Sequence, residues 1–154
     1  MLEIHLAERE AFVVWGYSVE TDLENNDKDI GELWAGYKSE LESLSCNCPG
    51  LYGAMWYTDE THKRYFYMLA VQIDNMIELP ENNSIQRLEI PKGLYAVASL
   101  PGNADLIEAW TEFYFRELPA RKLETNHQHG IFFEWYPAKG GVELWNSVKQ
   151  LKSD

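Results

Sequence analysis

Apolar and polar positions along this chain alternate between two periods, one close to 2 and one close to 3.6. Phe12 to Val19 is dominated by β-branched and aromatic residues and runs into Glu24-Asn25-Asn26-Asp27, the pattern of a strand leaving into a turn. Ile30, Leu33, Trp34, Tyr37, Leu41 and Leu44 then recur at helical spacing. Asp29 with Glu32 predicts a capping box at the start of that helix, and Pro49-Gly50 ends it. Leu51 to Thr58 and Tyr65 to Ile73 are two apolar, aromatic runs joined by the polar segment Asp59-Glu60-Thr61-His62-Lys63-Arg64, which predicts a β-hairpin.

The second half repeats this order. After a polar connection through Asn82-Asn83-Ser84, Leu88 to Leu100 favours strand, with Pro91 and Gly93 placed where an edge or bend tolerates them, and Pro101-Gly102 stops it. A helix follows, with Asn103 as its expected cap, Leu106, Ile107, Trp110, Phe113 or Tyr114, and Leu118 on its buried side, and Pro119 as its stop. Gly130 to Tyr136 and Gly141 to Val148 are two more strands, joined through Pro137-Ala138-Lys139-Gly140. The expected architecture is α+β: duplicated β-α-β-β units forming one antiparallel sheet, with two helices on one face and a groove between them. A chain of 154 residues fits one domain spanning residues 1–154.

Composition narrows the partners. A formal charge of −12 repels polyanions and gathers cationic solutes, which argues against direct nucleic-acid binding. No stretch approaches the roughly 18 apolar residues of a membrane span. The start of the chain, with Glu3, Glu8 and Glu10, lacks the basic and apolar regions of a signal peptide, so the expected location is cytoplasmic. Cys46 and Cys48 read as reduced loop thiols, since a disulfide across one residue is strained. His127 and His129 flank Gln128 in a polar segment where nothing nearby completes a metal set, and no cofactor motif occurs.

The candidate chemistry lies in carboxylates among rings. Alternation puts Phe132, Glu134 and Tyr136 on one face of their strand, and Ile131, Phe133 and Trp135 on the other; in the next strand it pairs Glu143 with Trp145, away from Val142 and Leu144. Each glutamate then has two readings: on the solvent side of the sheet, or on an apolar face where it must be neutralised, hydrogen-bonded or matched by a cation. Neighbouring rings add cation–π attraction. Trp34, Tyr37, Trp110 and Tyr114 occupy the inward helix stripes and could wall a groove or simply pack in the core. Tyr67 and Trp56 are candidates for its floor, with strand parity left open. No Ser-His-Asp or Cys-His set, phosphate loop or basic aromatic patch can be assembled, so any catalysis would fall to carboxylates and tyrosines.

Several segments in order carry a family resemblance: Leu33-Trp34, Tyr52-Gly53, Phe66-Tyr67-Met68-Leu69-Ala70-Val71, Ile90-Pro91-Lys92-Gly93-Leu94-Tyr95-Ala96-Val97, Trp110 with Leu118-Pro119, Phe133-Glu134-Trp135-Tyr136, and Val142-Glu143-Leu144-Trp145. Over nearly its whole length the chain resembles the GyrI-like or AraC-type effector-binding family, related in fold to the SOUL proteins. The resemblance implies a hydrophobic pocket in which a glutamate receives lipophilic cations, with Glu134 and Glu143 matching the glutamates of the Phe-Glu-x-Tyr and Val-Glu-Ile-Trp strands. Together with the rings singled out above, the candidate ligand set is Glu134, Glu143, Trp145, Tyr136, Tyr67, Trp56, Trp110 and Trp34, and the expected partner a small aromatic or cationic molecule. It also implies two other roles: inhibition of a protein partner, or hydrolysis of a reactive small molecule by glutamate and tyrosine. Ala70, Gln72 and Asn146-Ser147 stand where the family usually has Gly, Glu and Ile-Pro.

Overall fold

The computed structural model describes residues 2–44, 50–58, 61, 63–73, 84–128 and 130–151. The expected cysteine loop at Cys46 and Cys48, the link through Asn82-Asn83, His129 and most of the Asp59–Lys63 turn lie outside the described residues.

Among the described residues nine strands form one antiparallel sheet. They are β1 (Glu3–Arg9), β2 (Phe12–Asp22), β3 (Gly50–Tyr57), β4 (Arg64–Val71), β5 (Gln86–Ile90), β6 (Gly93–Leu100), β7 (Leu123–Thr125), β8 (Phe132–Pro137) and β9 (Val142–Gln150). The strand order is β1-β6-β9-β8-β3-β4-β2-β5, with β7 pairing the end of β9. The repeated units, β2-α1-β3-β4 with helix α1 at Asn26–Leu44 and β6-α2-β8-β9 with helix α2 at Leu106–Glu112, therefore meet at the β3–β8 pair, where Gly53 stands opposite Glu134.

The two outermost strands were not legible as separate elements. β1 pairs with β6 and β5 with β2, each at the edge of the other unit. The run from Leu88 to Leu100 is thus two strands, split at Pro91-Lys92, that belong to opposite ends of the sheet. Flat, six strand spacings of about 4.8 Å would hold β1 roughly 29 Å from β2. Only Glu10 and Ala11 join them, a link that reaches at most about 11 Å. The sheet must therefore roll, bringing both edges around to one another.

Rolling gives the sheet an inner face that is buried without a covering layer. Val14, Tyr52, Ala54, Met68, Ala70, Ile90, Tyr95, Val97 and Phe133 fill it. Phe133 of β8 lies 5.6 Å from Phe12 of β2 and 5.6 Å from Tyr95 of β6, centroid to centroid, although other strands separate all three along the sheet. Truncating Phe133 to Ala would cost about 3–5 kcal/mol, because the ring is fully buried and its neighbours come from several strands.

The outer face carries both helices. α1 (Asn26–Leu44) sets Leu33 and Leu41 onto Tyr17, Leu51, Tyr67, Leu69 and Val71. It begins before the expected Asp29: the Asp22 carboxylate accepts from the backbone of Glu24 and Asn25 and from the Asn25 side chain, which folds the turn, and Asp29 lies within the first helical turn, bonded to Thr21 Oγ1 at 2.8 Å. α2 (Leu106–Glu112) sets Ala109 onto Ala96, Ala98, Val142, Leu144 and Val148. Its cap is Asp105, whose carboxylate accepts from Glu108 N at 3.1 Å, and not Asn103. Pro119 does not stop the element either. The chain widens into a π-helical turn at Phe113–Glu117 and continues as α3 (Leu118–Ala120) before Lys122 turns it at φ 56°. Among the described residues no helix is long and apolar enough to cross a membrane.

Candidate functional site

The site forms where the two units meet. Parity on β8 sends Phe133 and Trp135 to the inner face, leaving Glu134 and Tyr136 on the outer face between the helices. Glu134 is only 5% exposed. Its Oε1 accepts from Tyr67 Oη at 3.0 Å and from Tyr136 Oη at 2.6 Å, and its Oε2 accepts from Trp110 Nε1 at 2.8 Å. Trp34 Nε1 in turn donates to Tyr67 Oη at 3.2 Å. One tryptophan from each helix therefore addresses the carboxylate, Trp110 directly and Trp34 through Tyr67.

Room for this network depends on Gly53. A methyl group there would overlap the Tyr67 hydroxyl and sit 2.9 Å from Glu134 Oε1. The missing side chain lets the Tyr67 ring reach across β3 to the carboxylate on β8. In the sequence this glycine stands only as part of the Tyr52-Gly53 motif, yet a glycine inside an otherwise apolar strand is itself a signal of close approach.

The electrostatics are those of a desolvated anion. Burial pushes the Glu134 carboxyl above its ordinary value, opposed by the hydrogen bonds from Tyr136, Trp110 and Tyr67. Burial and the neighbouring carboxylate push the Tyr67 and Tyr136 phenols up. Among the described residues no lysine, arginine or histidine pairs with Glu134. Three uncharged donors hold its oxygens, and among the described residues no positive charge balances it.

Rings close over the carboxylate. Trp34 meets Tyr136 edge-on at 4.9 Å, Trp110 stacks on Phe113 at 5.9 Å, and Phe132 stands 6.4 Å from Trp110. Open hollows of about 520 Å³ along Glu108, Thr111, Glu112, Phe115 and Arg116, and about 260 Å³ beside Ile4, Leu6 and Leu123, do not include Glu134.

Of the eight residues singled out in the sequence, five converge here: Glu134, Tyr136, Tyr67, Trp110 and Trp34. The other three do not. Trp56 and Trp145 pack against the inner-face cluster, and Glu143, half-buried, accepts from Trp145 Nε1 at 3.0 Å. Glu143 registers with Trp135 and Ser99, so it lies across the sheet from Glu134. Tyr37 stacks on Tyr17 at 4.0 Å, and half-buried Tyr114 meets Phe115 at 4.9 Å. Among the described residues no group of three or more His, Cys, Asp and Glu could hold a metal ion.

Known structures share this architecture. The integron cassette protein VCH_CASS2 from the mobile metagenome of Vibrio cholerae superposes with a TM-score of 0.75 at 18% identity, covering 95% of each chain. SAV2435 bound to tetraphenylphosphonium superposes at 0.74 and 18% identity, covering 96% of this chain and 94% of that one. The EcmrR C-terminal domain superposes at 0.62 and 14% identity, covering 98% and 99%. At these identities the likeness shows the fold. No curated protein matches the chain significantly by sequence. A family model for integron-associated effector-binding proteins matches residues 5–148, and the chain belongs to that family, within the GyrI-like group.

Proposed function

We propose that this chain binds a lipophilic aromatic cation at Glu134, between α1 and α2, as a cytoplasmic sensor or sequestering protein. The observation that carries the reading is a carboxylate 5% exposed, ringed by aromatic side chains, with no cationic side chain paired to it among the described residues. A guest that brings a delocalised charge and no demand for hydrogen bonds fits: three donors already hold the Glu134 oxygens, so attraction comes mainly through the field and the ring faces. Each well-placed ring adds about 0.5–2 kcal/mol. The net charge of −12 raises the local concentration of such cations. The likeness to the tetraphenylphosphonium-bound SAV2435 supports the ligand class, and the likeness to the EcmrR domain supports a regulatory setting.

Glutamate–tyrosine hydrolysis has less support. Both phenols are pushed up by burial, so neither is poised to give or take a proton near neutral pH. The test is calorimetric titration with tetraphenylphosphonium. Saturable binding that weakens tenfold or more in Glu134→Gln, roughly the loss of one charge interaction, is the expected result. No binding by the wild type, or equal binding by the variant, rejects the proposal.

A further inference from the structure

We infer that the inner face of the sheet carries a second cation-binding site, an aromatic cage of Phe12, Tyr52, Phe133 and Trp145 that the chain's own Arg9 occupies. The Arg9 guanidinium carbon lies 3.8 Å from the Phe12 ring centroid, 5.1 Å from Trp145, 5.7 Å from Phe133 and 5.9 Å from Tyr52. These rings come from β2, β3, β8 and β9, whereas Arg9 ends the edge strand β1.

The cage is held in shape by contacts that do not involve Arg9. Trp145 stacks on Phe133 at 5.3 Å with an interplanar angle of 12°, and its indole Nε1 is tethered to Glu143 Oε1 at 3.0 Å. Tyr52 donates its hydroxyl proton to Gln72 Oε1 at 2.9 Å, which turns a lone pair toward Arg9; Arg9 Nη2 donates to it at 3.1 Å. Glu143 and Gln72 are thus positioning residues for the cage, each orienting a ring that meets the charge.

Charge pairing sets Arg9 apart. Arg64, Arg87, Arg116 and Arg121 each lie within ion-pair reach of a carboxylate, and among the described residues Arg9 does not. Ring faces and one neutral phenol hold it. A site built this way selects guanidinium and quaternary ammonium groups, whose diffuse charge needs little compensation on leaving water. It differs from the Glu134 site in that, among the described residues, no carboxylate lies within ion-pair reach of the bound cation, and it does not depend on what Glu134 binds.

Removing Arg9 leaves the preformed cage for a cation in solution. The experiment uses Glu134→Gln as background, so that only the inner face is read, and titrates methylguanidinium and tetramethylammonium chloride against matched potassium chloride while following tryptophan emission. With Arg9→Ala added, saturable quenching is expected at concentrations where the background protein does not respond, a difference of roughly tenfold or more, and Trp145→Leu should abolish it. If Arg9→Ala does not refold unaided, methylguanidinium should restore folding where potassium chloride does not. Quenching equal with and without Arg9, no saturable response in a folded Arg9→Ala protein, or no rescue of an unfolded one overturns the inference.

Discussion

Gly53 on β3 stands directly across from Glu134 on β8, and the space left by its missing side chain is where the Tyr67 hydroxyl meets the carboxylate. The pair lies on the junction of the two β-α-β-β units, so a guest there would touch elements of both. What holds the site open to the network is a vacancy, and filling it has a calculable consequence.

Gly53→Ala should destabilise the fold by about 1–3 kcal/mol, since the methyl group forces Tyr67 or Glu134 out of place. Gly31→Ala and Gly36→Ala on α1 meet nothing within 4 Å and should instead stabilise by about 0.5–1 kcal/mol through helix propensity. Denaturant midpoints of the three variants measure the contrast. Equal effects at all three would show that the close approach at Gly53 is unimportant.

Titration of Glu134 gives two opposite pH trends. The folded carboxyl is raised above its ordinary 4.5, so between that value and its folded value the native state holds a proton that the unfolded state has lost. The contribution of this group to stability is therefore full below the ordinary value and falls as pH rises through the folded one. Cation affinity moves the other way, strengthening over the same window and levelling off above it. Chemical denaturation and tetraphenylphosphonium titration from pH 4 to 9, each compared with Glu134→Gln, should show the variant lose the falling stability and rising affinity that belong to this group, leaving only the pH dependence of the other titrating residues.

The two tryptophans should separate. Trp110→Phe keeps an aromatic ring but removes the one donor to Oε2 among the described residues, so the carboxyl should rise further and the pH midpoint of cation binding should move up with it. Trp34→Phe removes a donor to Tyr67, one bond from the carboxylate, and should shift that midpoint less in either direction. Binding curves at several pH values rank them, and a larger shift from Trp34→Phe contradicts the arrangement.

Glu143 provides the matching control. It lies across the sheet and orients Trp145, so Glu143→Gln should leave tetraphenylphosphonium affinity unchanged within roughly twofold, the scatter expected of independent sites. A loss as large as that of Glu134→Gln would place both carboxylates in one site.

Local pattern carried the sequence reading as far as local physics reaches. Alternation sorted Phe132, Glu134 and Tyr136 from Ile131, Phe133 and Trp135 correctly, because a strand has only two faces. It likewise kept Glu143 with Trp145. Alternation does not say which face meets the helices, and here the two glutamates fall on opposite ones. For Trp56 the same open question resolves toward the inner face.

β1, β5 and Arg9 lay beyond that reach. The edge strands find partners across the molecule, Glu3–Arg9 with Ser99–Gly93 and Gln86–Ile90 with Gly16–Phe12, so nothing adjacent in sequence announces them. A capping pattern similarly pointed to Asn103 where Asp105, two residues on, provides the carboxylate. The Asp29–Glu32 pattern misplaced the start of α1 because Asp22 folds the preceding turn from outside the helix.

A guest cation is expected to neutralise the buried Glu134 carboxylate, and the protonation of that group reports this directly. Carbon-13 NMR of the Glu134 side-chain carboxyl, titrated with pH in the presence and absence of tetraphenylphosphonium, should give a midpoint above that of an ordinary glutamate in the free protein and a lower one with the cation bound. A midpoint that the cation leaves unmoved, at concentrations where binding is saturated, contradicts the account.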